Sequence, residues 1–260
     1  MFQGQKVTAL LLAAGSGTRF GADGNKVYVQ ACGRPLLQYS LDVLLGNAYV
    51  DEVVLVVRDG EQGLAEMIER AELLLKSNRN GMDSPDGEGV QGESKFVTYT
   101  VGGATRAESV RRGLAVSDGE IVLIHDGARP MIRDSYVTHC VEAMADFPGA
   151  TMAVRSKDTI KLGDERDVVT ATTERSHTWV VQTPQCFRRE ALMKAHEKHG
   201  KDPGITDDCM LLELCGQEVK LVEGDYTNIK VTTPEDLTLA EAFLRRIGDA
   251  APRKINGCRR

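Results

Sequence analysis

The stretch from Val7 to Lys26, VTALLLAAGSGTRFGADGNK, limits what this chain can become more than any other. An apolar run, Val7 to Leu12, breaks into Ala13, Ala14, Gly15, Ser16 and Gly17, as a buried strand does when it ends in a tight loop. Arg19 and Lys26 follow on the same loop. Glycines let backbone N–H groups approach an anion, a nest of such groups attracts phosphate oxygens, and Arg and Lys add full charges. The loop therefore reads as a polyphosphate cradle. It is not GxxxxGK[ST], because Gly21 and Gly24 lead only to Asn25-Lys26-Val27. Nor is it GxGxxG, because Phe20 stands where the third glycine belongs. A plain Gly-rich turn is the alternative, and two cations on one loop weigh against it.

Downstream, apolar runs and helical periodicities alternate. Leu36 to Leu45 reads as a helix after the turn at Gly33-Arg34-Pro35, and Val53 to Val57 as a strand covered on both faces. Glu61 to Lys76 has the spacing of an amphipathic helix. The segment 77–95 is rich in Gly, Ser, Asp and Asn and reads as a mobile surface loop. Phe96 to Val101 is the next strand. After Gly102-Gly103, Thr105 with Glu108 fits a capping box opening a helix to Val116, and Arg106 there resembles an anion contact.

Glu120 to Ile124 is a fourth strand, ending in His125-Asp126-Gly127-Ala128-Arg129-Pro130. Charged residues past the carboxyl end of a strand sit where open α/β sheets bind ligands. Asp126 is thus a candidate ligand for a divalent ion riding on a triphosphate, with a turn or capping carboxylate as the alternative. Asp134 to Phe147 reads as a helix and Ala150 to Val154 as a strand. Ser156 to Trp179 alternates around Gly163-Asp164-Glu165, as a projecting hairpin would, and a lone ribbon is marginal unless it packs on another subunit.

Arg189 to His199 and Thr206 to Cys215 read as helices, the second capped by Thr206 or Asp207, and Val219 to Val222 and Tyr226 to Val231 as short strands. Thr233, Pro234 and Asp236 carry the start signal of a last helix, with Lys230 just before it. The tail after Gly248 is polar and expected to fray. The reading is one domain over 1–248 with a tail over 249–260.

Composition closes off several classes. A net charge of −6 over 260 residues argues against a general nucleic-acid binder. Six scattered cysteines show neither CxxC nor zinc spacing, which fits reduced thiols in the cytoplasm. No apolar run nears the roughly 18 residues that span a bilayer.

In this order, AAGSGTRF with Lys26, VGGATRAESV, IHDGARP, DTIK, VQTPQCF, TDD and NIKVTTPEDL resemble the 2-C-methyl-D-erythritol 4-phosphate cytidylyltransferases of the non-mevalonate isoprenoid pathway, from Val7 to about Arg246. The resemblance implies an α/β, Rossmann-like nucleotidyltransferase fold with a mainly parallel central sheet flanked by helices and a projecting β-arm. It implies a homodimer held through that arm, and Mg²⁺-dependent transfer of CMP from CTP to a sugar-alcohol phosphate. On that footing the backbone of Ala13, Ala14, Gly15 and Gly17 would wrap the triphosphate. Arg19, Lys26 and Lys230 would stabilise charge at the α-phosphate. Gly103, Arg106 and Ser109 would meet the cytidine, and Asp126 the metal. Arg129, Thr159, Arg175, Thr183 and Thr206 would hold methylerythritol phosphate, with Thr159 and Arg175 offered by the partner's arm, Arg175 counting also as catalytic.

The chemistry suits these residue types, since a phosphate monoester is already a nucleophile near neutral pH and needs no general base. Positioning and charge stabilisation remain, for which Arg, Lys and Mg²⁺ suffice. Three departures stand out. Asn25 replaces the proline usual before the lysine, which is expected to loosen the loop. Ala104 replaces a frequent acid. The chain also stops where fused members continue into a cyclodiphosphate synthase, so one activity is expected. A ribitol-5-phosphate cytidylyltransferase and a non-catalytic nucleotide-binding module are the alternatives.

Overall fold

The computed structural model describes residues 1–15, 20, 25–61 and 96–250. In chain order its elements are β1 (Val7–Leu12), the two-residue β2 (Gln30–Ala31) and β3 (Arg34–Pro35), α1 (Leu36–Gly46), β4 (Glu52–Val57) and β5 (Phe96–Val101). Then come α2 (Arg106–Val116), β6 (Ile121–Asp126), α3 (Asp134–Glu142), β7 (Gly149–Arg155), β8 (Lys161–Gly163) and β9 (Val169–Thr172). The chain finishes with β10 (Trp179–Arg188), α4 (Arg189–His199), α5 (Asp208–Leu214), β11 (Val219–Glu223) and α6 (Pro234–Ala250).

Seven strands form the central sheet in the order β11-β7-β10-β6-β1-β4-β5. Among the described strands of this sheet only β10 runs against its neighbours, and the other pairings within it are parallel. The expected mainly parallel sheet with flanking helices is what this chain forms. The reason is visible in β1, whose alternate residues are buried on opposite faces. Val7, Ala9 and Leu11 pack with Leu41 and Leu44 of α1 and Val137 and Val141 of α3. Leu10 packs with Val110 and Leu114 of α2 and Leu192 of α4. A strand covered on both sides needs no polar alternation, and each fully buried Leu or Val stabilises by about 1.5–3 kcal/mol.

From β1 the chain moves outward through β4 to β5, then returns to lay β6 on the other side of β1. Leu12 pairs with Val56 on one flank and Asp126 on the other, so three carboxyl ends share one rim. The reversal of strand order leaves a crevice there. Side-chain-free backbone makes the crevice close-fitting. A Cβ on Gly102 would sit 2.4 Å from Ala14 Cβ, and one on Gly127 would sit 2.9 Å from the Leu12 carbonyl oxygen.

Several boundaries differ from expectation. Strand β6 continues through His125 and Asp126 because their partners Leu11 and Leu12 are still extended. The helix expected over Asp134 to Phe147 ends at Glu142 and tightens into a 3₁₀ turn, Ala143–Ala145. Of the two caps expected for α5, Asp207 serves, accepting from Met210 N–H at 3.0 Å. No strand forms over Tyr226 to Val231. Asp225 instead turns the chain by accepting from the Thr227 N–H and hydroxyl, and buried Asn228 donates to the Thr183 carbonyl at 2.9 Å. The last helix runs to Ala250, beyond Gly248. The helix expected over 61–76, except Glu61 itself, the loop over 77–95, Gly17, Arg19 and the tail from 251 lie outside the described residues.

The projecting hairpin is present. Strands β8 and β9 pair antiparallel outside the central sheet, around a turn in which Asp164 accepts from the N–H groups of Arg166 and Val168. Leu162, Val168 and Val169 on it are exposed.

Candidate active site

Two cavities open on the carboxyl-end rim. One, of about 840 Å³, is lined by Ala14, Gly15, Lys26, Gly103 and Ser109 among others. The second, of about 690 Å³, is lined by Arg129, Thr183, Gln185, Thr206 and Asp207 among others. Both share Arg106, Asp126 and Lys230. Of the residues expected at a nucleotide, Ala14, Gly15, Lys26, Gly103 and Ser109 line one hollow, and of those expected at a sugar phosphate, Arg129, Thr183 and Thr206 line its neighbour, with charged side chains between the two.

Asp126 is the centre of that boundary. Lys230 Nζ lies 2.7 Å from its Oδ2, Arg106 Nε 3.6 Å from Oδ1 and Arg129 Nε 4.0 Å from Oδ2. Burial alone would push this carboxyl up, but Arg106, Lys230 and Arg129 outweigh it and hold Asp126 well below the usual carboxylate range. Arg106 is gripped a second time, its Nη1 lying 2.6 Å from Oδ2 of Asp208, which is 1% exposed. Behind Asp208 stands buried His196, with Nε2 3.4 Å from Oδ1. Burial again opposes the charge on Asp208, and Arg106 with His196 overcomes it. A line of polar side chains, His196, Asp208, Arg106 and Asp126, therefore runs from α4 through the start of α5 to the end of β6.

The loop after β5 is fixed by its own side chains. Thr105 Oγ1 accepts from Glu108 N–H at 3.1 Å, as the capping box requires, while the Glu108 carboxylate takes the N–H of Ala104, one residue earlier than expected. Ser109 accepts from Gly103 N–H at 3.0 Å and donates to the Thr105 carbonyl at 2.9 Å. Its hydroxyl therefore shapes the Gly103 loop. Asn25, where a loosening was expected, is itself held by several contacts. It is buried, donates to the Ala13 carbonyl and to Glu61, and caps the turn that opens with Lys26.

Thr183 is anchored beneath Asp126. His125 Nε2 lies 3.2 Å from the Arg129 carbonyl, which can only accept, so Nε2 carries the proton and Nδ1 accepts from the Thr183 hydroxyl at 3.0 Å. The same hydroxyl accepts from Asp126 N–H at 3.1 Å. Burial pushes the His125 imidazole down to about 4, with Asp126 offsetting only part of the effect. The unfolded chain takes up this proton near 6.5, so the stability His125 confers is complete above that pH and drains away as pH falls toward 4. In chelator-treated protein, urea unfolding between these two values is expected to lose about 3 kcal/mol more in the wild type than in His125→Gln. Parallel stability curves for the two would refute this.

Thr159 and Arg175 do not line either cavity; both are exposed on the arm segment. The comparisons with known proteins bear on these features together. The family model for 2-C-methyl-D-erythritol 4-phosphate cytidylyltransferase matches residues 7–246.

The chain belongs to the 2-C-methyl-D-erythritol 4-phosphate cytidylyltransferase family. A cytidylyltransferase of that name from Desulforamulus reducens is 39% identical over 244 residues, covering 92% of this chain and 96% of its own. One from Geobacillus thermodenitrificans is 42% identical over 239 residues, covering 91% and 96%. Among solved structures, the 4-diphosphocytidyl-2C-methyl-D-erythritol synthase of Anaerococcus prevotii superposes with a TM-score of 0.74 at 30% identity, covering 94% of this chain and 100% of its own. The Thermus thermophilus cytidylyltransferase gives 0.68 at 31% identity, with 92% and 99% covered.

Membership of this cytidylyltransferase family agrees with the paired cavities, and the geometry adds residues that motif reading passes over. Asp208 carries Arg106, a role the TDD motif does not mark, because a place in the first turn of a helix reads equally well as a dipole partner. Arg58 and Asp59 line the larger cavity from the end of β4 with no local pattern to mark them. Gln185 donates to Asp207 at 2.9 Å, which stiffens the wall of the smaller cavity.

Proposed function

We propose that this chain transfers CMP from CTP to 2-C-methyl-D-erythritol 4-phosphate, giving 4-diphosphocytidyl-2-C-methyl-D-erythritol and pyrophosphate, in the cytoplasm and as a homodimer. The observation that carries this reading is the meeting of the two cavities at Arg106, Asp126 and Lys230. CTP in the larger hollow and the sugar phosphate in the smaller one bring an α-phosphorus and an attacking oxygen to that boundary. A phosphate oxygen forms the new bond to phosphorus, the bond from phosphorus to the bridging α–β oxygen breaks, and pyrophosphate leaves with its electrons.

The nucleophile needs no base, so the protein's work is alignment and charge stabilisation. Lys230, Arg106 and Arg129 supply positive charge at the boundary, and Lys26 supplies it from the loop end; Arg19 takes the same role from its motif. The backbone of Ala13, Ala14, Gly15 and Gly17 wraps the triphosphate. Gly103, Ser109 and the α2 start receive the cytidine. Thr183 keeps one acceptor lone pair for a substrate hydroxyl, having used its proton on His125, and Thr206 and Arg129 take the phosphate end.

Among the described residues no three His, Cys, Asp or Glu side chains converge on a metal site. A single buried, ionised carboxylate nevertheless suits Mg²⁺, which takes one or two carboxylates and completes its shell with phosphate oxygens and water. Asp126 would hold the ion, which when bound supplies further positive charge to the triphosphate.

The arm supports the dimer. Ile160, Leu162, Val168, Val169, Val180 and Val181 are all exposed on or beside a two-stranded ribbon, and a second copy covering them would offer Thr159 and Arg175 to its neighbour's smaller cavity. Sedimentation of the wild type at monomer mass, with full activity, would overturn this.

The functional test is pyrophosphate release from CTP with each of two polyol phosphates. Methylerythritol phosphate is expected to be turned over efficiently, and chelation to stop turnover until Mg²⁺ is returned. Turnover of ribitol 5-phosphate alone would replace the substrate. Equal signals from wild type and Lys26→Ala would favour a non-catalytic module, and indifference to chelator would remove the metal. No described helix is long and apolar enough to cross a membrane.

A further inference from the structure

We propose that Asn25 is a positioning residue for CMP transfer: with Glu61 and Arg58 it ties both ends of the phosphate loop to the end of β4, holding Lys26 and the backbone of Ala13 to Gly15 in register. The inference rests on the larger cavity being the CTP site.

Four contacts make the clasp. At the loop's entrance, Arg58 Nη2 donates to the Gly15 carbonyl at 2.9 Å. At its exit, Asn25 Nδ2 donates to Glu61 Oε2 at 3.0 Å, and Arg58 Nε lies 3.6 Å from the other oxygen of that carboxylate. Across the mouth, Asn25 Nδ2 also donates to the Ala13 carbonyl. Asn25 is 7% exposed and Glu61 9% by its side chain, so the two Asn25 contacts are sheltered from competing water, whereas the bond from Arg58 to Gly15 lies at the surface.

Both acceptors that Asn25 faces fix the orientation of its amide. A carboxylate and a carbonyl can only accept, so nitrogen must face them and Oδ1 is left to cap the next turn, accepting from Val27 N–H at 3.3 Å. That turn is Lys26–Tyr28, so the amide that closes the loop mouth also sets the first residue after it. In a trans peptide the N–H points opposite to the C=O, so holding the Ala13 carbonyl on Asn25 directs the Ala14 N–H away from it. Ala14, Gly15, Lys26 and Arg58 all line the nucleotide cavity. One buried side chain thus governs the relative placement of the backbone donors and the lysine that act on the same triphosphate.

The backbone at Asn25 has φ −82°, close to the value proline imposes. Three substitutions therefore separate the possible roles. Asn25→Asp keeps a capping oxygen but loses the donor and sets a carboxylate against Glu61; Asn25→Ala loses both; Asn25→Pro loses both yet restrains the backbone. CTP affinity by calorimetry, kcat, and KM for methylerythritol phosphate are measured for each, beside thermal unfolding. Asn25→Ala and Asn25→Asp are expected to weaken CTP binding about tenfold and lower kcat about 10- to 100-fold, with KM for the sugar phosphate unchanged. Asn25→Pro, which restrains the backbone but makes none of these contacts, is expected to stay impaired. Wild-type affinity and turnover in Asn25→Ala, losses that merely follow the unfolded fraction, or wild-type behaviour in Asn25→Pro would each overturn the proposal. If the wild type binds CTP without turning it over, the functional reading fails, and the clasp is still decided by the affinities.

Discussion

Lys230→Met is expected to lower kcat for CMP transfer by about 10²- to 10³-fold while leaving the protein folded. The ammonium is 38% exposed and lies 2.7 Å from Asp126, at the boundary that both cavities share. Its charge is therefore available where negative charge builds on the α-phosphate, in a crevice with low-dielectric walls where such a contact counts for more than in water. Methionine preserves much of the aliphatic stem. Asp126 does not become an orphan, because Arg106 at 3.6 Å and Arg129 at 4.0 Å remain. Unfolding temperature should move by only a few degrees and KM for the sugar phosphate little, so the loss appears in kcat. Turnover within about fivefold of wild type would remove Lys230 from the chemistry.

Asp208→Asn is expected to cost about 3–5 kcal/mol of stability, the usual penalty for leaving one member of a buried ion pair behind. Asp208 is 1% exposed, Arg106 Nη1 sits 2.6 Å from it, and the amide that replaces it fills the same volume without the charge. Arg106 is then held only by Asp126, and it swings between the two cavities instead of standing at their boundary. Urea unfolding measures the first effect and CMP transfer the second. The double variant Arg106→Met, Asp208→Leu separates them. An apolar pair recovers much of the stability that the single change removes, because no charge is left buried, while transfer stays impaired because the guanidinium is gone. If Asp208→Asn unfolds like the wild type, the pair is not the internal anchor its geometry indicates.

Local chemistry made much of this molecule legible in advance. The run Val7–Leu12, the strand Phe96–Val101 and the helices after Thr105 and Thr233 lie where periodicity and capping put them, because caps and short-range burial patterns are written in adjacent residues. What misled was equally local. The segment 226–231, with Tyr226, Thr227, Ile229 and Val231, has strand composition, yet Asp225 and Asn228 offer the backbone closer partners than a sheet edge would. His125 and Asp126 read as loop because they are polar, but strand β1 beside them was still extending. Asn25's partners, Ala13 and Glu61, are likewise distant along the chain or beyond the loop, so no local pattern announces them.

By itself the sequence determined the order of strands and helices, the phosphate loop at the end of the first strand, and the residue types that a transfer between phosphates requires, since each rests on neighbours along the chain. Only the tertiary structure decided that Arg106, Asp126, Arg129 and Lys230 meet, that Asp208 and His196 stand behind them, and that one wall separates two hollows. The physical reason is that electrostatic compensation acts through space. Which cation neutralises a buried carboxylate depends on where the sheet reverses its strand order, and segments as distant as 106, 126 and 230 become neighbours only when the crevice closes around them.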